Sequence, residues 1–199
     1  MAVEFLMTSL VGFDIIKIPY MKEIIQKLED FIREKNVEVE HMLRTGFWLK
    51  ELYPEADDAF YIAAICHDIE RIFPLRDGEI KPSKTGKDEY DGEYLIWHGK
   101  RSAEFAEKLL RENGFDDKVA IERIKTLIAE HSLGGTMERD LMRDADSISL
   151  LENNALVFIK EGKDKKELKE KFDSEFERLS SEKARELARP FYNFAIKNL

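Results

Sequence analysis

The 199-residue chain contains a single cysteine, Cys66, and no apolar run long enough to span a bilayer. One thiol cannot form an internal disulfide, so we expect a cytoplasmic protein that is held together by its core. A membrane span needs about 18–20 apolar residues, and we therefore expect no membrane association. The apolar segment 1–18 carries Glu4 and Asp14 and lacks a basic start and a clear cleavage site. We interpret it as part of the core and not as a signal peptide.

Positive charge is scarce relative to negative charge. The chain has 32 Lys and Arg against 41 Asp and Glu, which gives a formal net charge of −9. This balance disfavours a long nucleic acid as partner, because such a partner requires an extended basic surface. The sequence also lacks a glycine-rich phosphate loop and a Ser-His-Asp arrangement. The hydrophobic content of 43% and the charged content of 37% are typical of a globular protein.

Helical periodicity runs through most of the chain, and no strand-like alternation is long enough to indicate a sheet. One example is the amphipathic stripe formed by Ile24, Leu28 and Ile32. The predicted helices cover about residues 21–34, 39–52, 59–72, 93–113, 116–131, 139–159, 165–179 and 181–198. We therefore predict an all-α, single-domain helical bundle over residues 1–199, with the helices of residues 165–198 packing on the rest.

The predicted helix 59–72 is apolar all round in its first two turns, which is typical of a central, buried helix. It contains the dipeptide His67-Asp68, and we predict a site at its C-terminal end. The loop 75–92 that follows is long and carries Lys81, Lys84 and Lys87. Long loops in compact domains are often functional.

The chain has four histidines, and each falls within a predicted helix or at its end. They are His41, His67, His98 and His131. Asp68 and the later Asp144-Ala-Asp146 supply carboxylates. Imidazole and carboxylate are ligands that first-row transition metals prefer, so the pattern predicts a metal site. The alternative is that Asp68 pairs with Arg71, three residues further along the same helical face.

The order of His41, His67-Asp68 and Asp146 resembles the HD-domain superfamily of metal-dependent phosphohydrolases. Three details of the sequence match that family. Arg44 follows the first histidine by three residues, the His-Asp pair closes an apolar helix, and the last aspartate follows an alanine. Asp146, which follows Ala145 in the segment Arg143–Leu150, fits this last detail better than Asp144 does. The resemblance covers about residues 37–155.

The resemblance implies a fold of the HD-domain type and a ligand set for one or two divalent ions. The first ion would be held by His41, His67, Asp68 and Asp146. His98 and His131 would join a second ion, with Asp68 bridging. The ion would be Mn, Fe, Co, Ni, Zn or Mg. A metal-bound water would then attack the phosphorus of a small phosphomonoester or phosphodiester, most readily a nucleotide.

The resemblance also has one departure. One subset of the family carries glycine-lysine after His-Asp-Ile, where this chain has Glu70-Arg71. This puts membership of the cyclic-dinucleotide phosphodiesterase subset in doubt. Arg71 could replace the lysine as a phosphate clamp, or it could only pair with Asp68 or Glu70. We expect Asp68 and Arg71 to be catalytic. Further cations are expected to bind substrate, namely Arg44, Lys87, Arg101 and Arg143.

Two other functions remain open from the sequence. One is a non-catalytic HD module that binds a nucleotide or a metal and regulates another activity. The other is a di-metal oxygenase, because a related helical scaffold can hold two irons. The sequence does not decide between a monomer and a homo-oligomer.

Overall fold

A computed structural model describes residues 4–82 and 92–199, with side chains from Tyr20 onwards. The described residues form helices and no strand, which confirms the all-α prediction. The α-helices are α1 (Glu4–Lys35), α2 (Val39–Leu52), α3 (Asp58–Cys66), α4 (Gly92–Glu112), α5 (Lys118–Ala129), α6 (Met137–Ser149), α7 (Ala155–Lys160), α8 (Lys165–Glu177) and α9 (Glu182–Lys197). Within the described part, no helix combines the length and apolar character that a membrane crossing needs.

The short helix α3 lies at the centre of the bundle and packs against α1, α2, α4, α5 and α6. Its side chains from Ala59 to Cys66 are buried, apart from the partly exposed Tyr61. Asp57 caps its start, because its Oδ1 accepts a hydrogen bond from the backbone N–H of Phe60 at 2.9 Å. The predicted central position of this helix is confirmed.

Helix α3 ends at Cys66, earlier than the predicted end at Ile72. The ring Nδ1–H of His67 donates to the carbonyl oxygen of Ala64 at 2.8 Å, and a continuing helix would need that oxygen for the N–H of Asp68. Asp68 leaves the helical conformation at φ −106° and ψ 12°, and a 3₁₀ turn follows over Ile69–Ile72. The His-Asp pair therefore lies at a corner of the chain.

The predicted helix 139–159 is interrupted by a π-helical turn at Leu150–Asn154. The Asn153 amide donates to the carbonyl oxygen of Ser149 at 3.0 Å and occupies the acceptor that the N–H of Asn153 would use. The N–H of Ala155 then bonds to the carbonyl of Leu150, five residues earlier. This turn joins α6 to α7 and adds a bulge to the helix.

The last two helices pack back on the bundle. Helix α8 contacts α6 and α7, and α9 contacts α6 and the π-helical turn. Asp144 fixes the connection between them, because its Oδ1 accepts from the N–H of Ser180 and its Oδ2 from the hydroxyl of Ser180, both at 2.7 Å. Asp144 therefore has a structural role, because it holds the segment between α8 and α9 through Ser180.

Gly99 marks a close approach of α4 to the end of α5. A Cβ at Gly99 would lie 2.5 Å from the carbonyl oxygen of Ala129. Backbone atoms of a packed helix cannot yield easily, so we expect Gly99→Ala to lower the free energy of unfolding by about 1–3 kcal/mol. Urea unfolding measures this directly.

The matched control is Gly92→Ala, at the first residue of the same helix. A Cβ there meets no described atom within 4 Å. This change should be neutral or stabilise the protein by up to about 1 kcal/mol. Equal stabilities of the two variants would contradict the close packing at Gly99.

Candidate metal centre

The six predicted ligands come from separate segments and meet at one buried place. All six side chains are buried. They form two groups, and within each group the ligand atoms lie within 4.8 Å of one another. The first group is His41, His67 and Asp146, and the second is Asp68, His98 and His131.

The first group has the spacing of a tetrahedral coordination sphere. The Nε2 atoms of His41 and His67 are 3.3 Å apart, and they lie 3.2 and 3.4 Å from Oδ1 of Asp146. Ligands at about 2.0–2.1 Å from an ion in tetrahedral geometry are separated by about 3.3 Å. The Asp68 carboxylate lies beside this group, with Oδ2 3.6 Å from His41 Nε2 and Oδ1 3.7 Å from His67 Nε2. The donor set therefore fits a transition metal ion.

Asp68 also belongs to the second group. Its Oδ1 lies 2.8 Å from Nε2 of His98, while its Oδ2 is the oxygen near His41. One carboxylate thus faces both groups, as a bridging ligand would. No described residue donates a hydrogen bond to the buried Oδ2, although Arg71 Nε lies 2.9 Å away without the alignment of a hydrogen bond. Such an oxygen is costly to bury unless a cation compensates it.

Two of the histidines are oriented by backbone carbonyls of the helices that they end. His67 Nδ1 donates to Ala64 at 2.8 Å, and His131 Nδ1 donates to Ile128 at 2.7 Å. A carbonyl only accepts, so Nδ1 carries the proton in both rings. Each Nε2 is then directed at the carboxylates, in the way that metal-bound histidines are usually held.

His41 reaches the same arrangement through a hydroxyl group. Its Nδ1 lies 3.1 Å from Oγ of Ser149, and that hydroxyl donates its own proton to the carbonyl oxygen of His41 at 2.8 Å. The serine oxygen is therefore the acceptor for Nδ1–H. This leaves Nε2 of His41 for the first group.

His98 is oriented by a buried carboxylate. Its Nδ1 lies 3.2 Å from Oε1 of Glu70, and Glu70 is held in turn by Arg101 at 2.8 Å. The side chains of Glu70 and Arg101 are almost fully buried. Glu70, which departs from the glycine of the family subset, therefore has a place directly behind the second group.

The two aspartates remain ionised in this buried place. Burial would raise the pKa of the Asp68 carboxyl, but Arg71 and the neighbouring imidazoles hold it well below its usual range. Burial opposes ionisation of Asp146 as well, but hydrogen bonds from His41 and His67 and the charge of Arg178 lower its pKa strongly. Two anions in one buried cluster favour the binding of a cation.

His67 and His131 differ in their protonation state at neutral pH. Burial acts to lower the pKa of His67, but Asp68 and Asp146 outweigh burial and raise it to about 9. Burial and the charges of His67 and His98 lower the pKa of His131 to about 3. In the absence of a metal, the proton on His67 thus supplies positive charge between the two carboxylates.

The cluster opens onto a cleft of about 270 Å³. Cations at this cleft come from the 3₁₀ turn and from the chain after α7, and are Arg71, Lys163, Lys171 and Arg178. Two carboxylates, Glu38 and Glu175, also line it. This volume lies just below the usual range of small-molecule pockets, which starts at about 300 Å³.

Three of the four predicted substrate-binding residues do not line the cleft. Arg44 makes a two-pronged ion pair with Glu152, at 2.8 Å for both bonds. Arg101 is buried and supports Glu70, as described above. Arg143 pairs with Asp140 at 3.0 Å. These arginines already have structural partners, so we withdraw them from the proposed binding site.

The lysine-bearing loop is only partly described. Lys84 and Lys87 lie in residues 83–91, outside the described residues. Lys81 lies near the rings of Tyr94 and Trp97, at 5.6 and 5.7 Å from their centroids. It does not line the cleft. The predicted role of Lys87 in substrate binding stays a prediction.

The sequence analysis missed Lys163, Lys171 and Arg178 at the cleft. Lys171 and Arg178 are seven residues apart, so a helix carries both on one face. This spacing in the sequence is compatible with a shared binding site. Lysines and arginines on a solvated helix surface show the same spacing as often, so it does not indicate a site by itself. Arg178 reaches Asp146 at 2.9 Å, a contact that only the packing of α8 against α6 creates, and it also pairs with Glu175 three residues earlier at 2.8 Å.

Comparison with known families places residues 20–194 in a family described as a domain of unknown function, DUF4202. The chain belongs to this family. No significant match is found among curated proteins. The fold is similar to a crystal structure of a predicted HD superfamily hydrolase from an uncultured Thermotogales bacterium, with a TM-score of 0.53 and 19% identity. The similarity covers 86% of this chain and 87% of the other, and it confirms the prediction of an HD-type fold.

Binding of a divalent ion should release protons at neutral pH. His67, with a pKa of about 9, is protonated at pH 7.5 and must lose its proton to become a ligand. We expect release of about one proton or more with the first Mn²⁺, and an affinity that rises from pH 7 to about 9. Calorimetric titration in buffers of different ionisation enthalpy measures both. Binding with no proton release and no pH dependence would contradict the proposed ligand role of His67.

Changing Glu70 to Gln should lower the affinity for the second ion and leave the affinity for the first unchanged. The amide keeps an acceptor for His98 Nδ1–H but removes the charge behind it, and losses of this kind typically reduce metal affinity by about 10–100-fold. A Mn²⁺ titration should show a weaker second step and an unchanged first step. Glu104→Gln, which removes an exposed ion pair with Arg76, is the control. Equal titration curves for Glu70→Gln and wild type would exclude this role of Glu70.

Proposed function

We propose that this protein is a metal-dependent phosphohydrolase that cleaves a phosphoester of a small metabolite, with nucleotides as the leading substrate class. The observation that carries the proposal is the pair of buried His/Asp groups that meet at Asp68 and open onto a cation-lined cleft. The fold neighbour described as a predicted HD superfamily hydrolase supports the same reaction class.

The residues at the cluster fit a resident divalent ion. His41, His67, Asp68 and Asp146 would hold the first, and His98 and His131 would hold a second together with Asp68. An ion such as Mn²⁺, Fe²⁺, Co²⁺, Ni²⁺, Zn²⁺ or Mg²⁺ supplies a Lewis acid that polarises a phosphoryl oxygen and lowers the pKa of water.

The cations around the cluster suit a phosphate group. Arg71 lies next to Asp68, and 35% of its side chain is exposed. Its planar guanidinium can donate two parallel hydrogen bonds to phosphate oxygens. Lys163 and Lys171 lie near the ring of Phe158, at 3.9 and 5.8 Å from its centroid, and extend the positive wall of the cleft.

The same features favour a small substrate over a polymer. The cleft is small, and Glu38 and Glu175 interrupt its positive lining. The net charge of −9 further opposes a long polyanion. A mononucleotide or another phosphorylated metabolite places a single charged group at the cluster and avoids both obstacles.

The test is phosphate release from a panel of nucleotides and simple phosphoesters, after loading with Mn²⁺, Co²⁺ or Ni²⁺. We expect metal-dependent release that Asp68→Ala abolishes together with bound metal, since this carboxylate faces both groups. The control Asp77→Ala removes a carboxylate from the exposed turn after α3 and should leave activity unchanged.

Three outcomes would contradict the proposal. Metal-loaded protein that binds nucleotides but releases no phosphate would indicate a regulatory module. Dioxygen uptake by the Fe²⁺-loaded protein would indicate an oxygenase. Full metal occupancy in Asp68→Ala would show that the cluster is not the metal site.

A further inference from the structure

Glu38 adopts an unusual backbone conformation beside the cleft. Its φ of 51° and ψ of 23° lie in the left-handed region, which a residue with a long side chain rarely occupies. Glu38 immediately precedes α2, and its side chain lines the cleft. Such conformations persist where the surrounding contacts hold them in place, often at functional sites.

Asn154, the last residue of the π-helical turn, holds the Glu38 side chain. Its amide nitrogen donates to Oε2 of Glu38 at 2.8 Å, and Asn154 is itself buried and lines the cleft. A π-turn is a second departure from regular backbone, and such turns are frequent at functional sites. Two irregular segments, 116 residues apart in sequence, thus meet through one hydrogen bond.

The other oxygen of Glu38 faces Arg71. Arg71 Nη1 lies 3.4 Å from Oε1 of Glu38, and Arg71 Nε lies 2.9 Å from Oδ2 of Asp68. The guanidinium therefore stands between two carboxylates at the edge of the cluster. Among the described residues, no partner is found for its Nη2.

We propose that Glu38 and Asn154 are positioning residues, which hold the Arg71 guanidinium where it receives a phosphate group of the substrate. The inference rests on the proposed function. Asp68 cannot fix Arg71 alone, because its charge is shared with the imidazoles of both groups. Arg71 is the cation that Glu38 contacts within the described part of the chain, so Glu38 can hold it independently of the cluster.

A purely structural role for the same contacts is the competing explanation. Asn154 and Glu38 connect the start of α2 to the π-helical turn, and this connection alone could account for the hydrogen bond. The two explanations differ in one respect. If Glu38 positions Arg71, then changing Glu38 has no effect on phosphate binding in a protein that already lacks Arg71. If Glu38 has only a structural role, the effect remains without Arg71.

The experiment measures binding of inorganic phosphate to the Mn²⁺-loaded protein by calorimetry. We expect Glu38→Gln to weaken phosphate binding about fivefold, as loss of a partly exposed ion pair would. Glu38→Gly should do the same, and it keeps the fold because glycine accepts the left-handed conformation. Arg71→Ala should weaken phosphate by tenfold or more, on the order expected for a charge-assisted hydrogen bond.

The decisive variant is the double change Glu38→Gln with Arg71→Ala, which should bind phosphate no more weakly than Arg71→Ala alone. The control is Glu40→Gln, an equal change of charge at an exposed residue nearby, which should bind as wild type. Mn²⁺ stoichiometry and thermal stability should be the same in Glu38→Gln and wild type.

The outcomes separate the inference from the proposed function. Wild-type protein that holds no Mn²⁺ would overturn the proposed function and this inference together. Mn²⁺-loaded wild type that binds phosphate, with an unchanged or a higher affinity in Glu38→Gln, would overturn the inference alone. A loss in Glu38→Gln that persists at full size without Arg71 would also overturn it, and would assign Glu38 a structural role.

Discussion

Burial of the two carboxylates of Asp68 and Asp146 is the constraint on which the rest of the structure depends. An ionised carboxylate taken out of water costs several kcal/mol unless charges and hydrogen bonds compensate it. The protein compensates from two directions. Imidazoles face the carboxylates from inside the bundle, and Arg71 and Arg178 face them from the cleft side. A site with this balance of charge can exchange imidazole protons for a metal ion without rebuilding its surroundings.

The same bonds that end the helices also aim the ligands. His67 and His131 each take a carbonyl three residues earlier, which stops the helical hydrogen-bonding pattern and fixes the ring. The corner at His67-Asp68 is therefore a consequence of the histidine itself. The break that makes α3 shorter than its apolar pattern suggests is also what turns Asp68 towards both groups. At this corner, the local structure and the placement of Asp68 thus both depend on the His67 side chain.

The parts of the site that follow from residue type and helical position were predictable, and the parts that depend on long-range pairing were not. The apolar run before His67 predicted the central helix, and the order of histidines and aspartates predicted the residues that meet. Arg44 shows the limit, because its position near His41 suggested a substrate contact. Its guanidinium is instead held by Glu152, 108 residues further along the chain. A sequence gives the charge of Arg44, but only tertiary packing selects its partner.

The helices after residue 155 follow the segment that carries the histidine and aspartate motifs, yet they build part of the cleft. Arg178 pairs with Asp146 at the cluster itself, and Lys163 and Lys171 form part of the wall. The DUF4202 match extends to residue 194 and so includes these helices. The family unit therefore contains both the segment that supplies the buried ligand cluster and the helices that complete the cleft around it. Under the proposed function, selectivity among phosphorylated metabolites should depend in part on the cleft residues of these helices, because the buried cluster alone presents the same donors to any phosphate group.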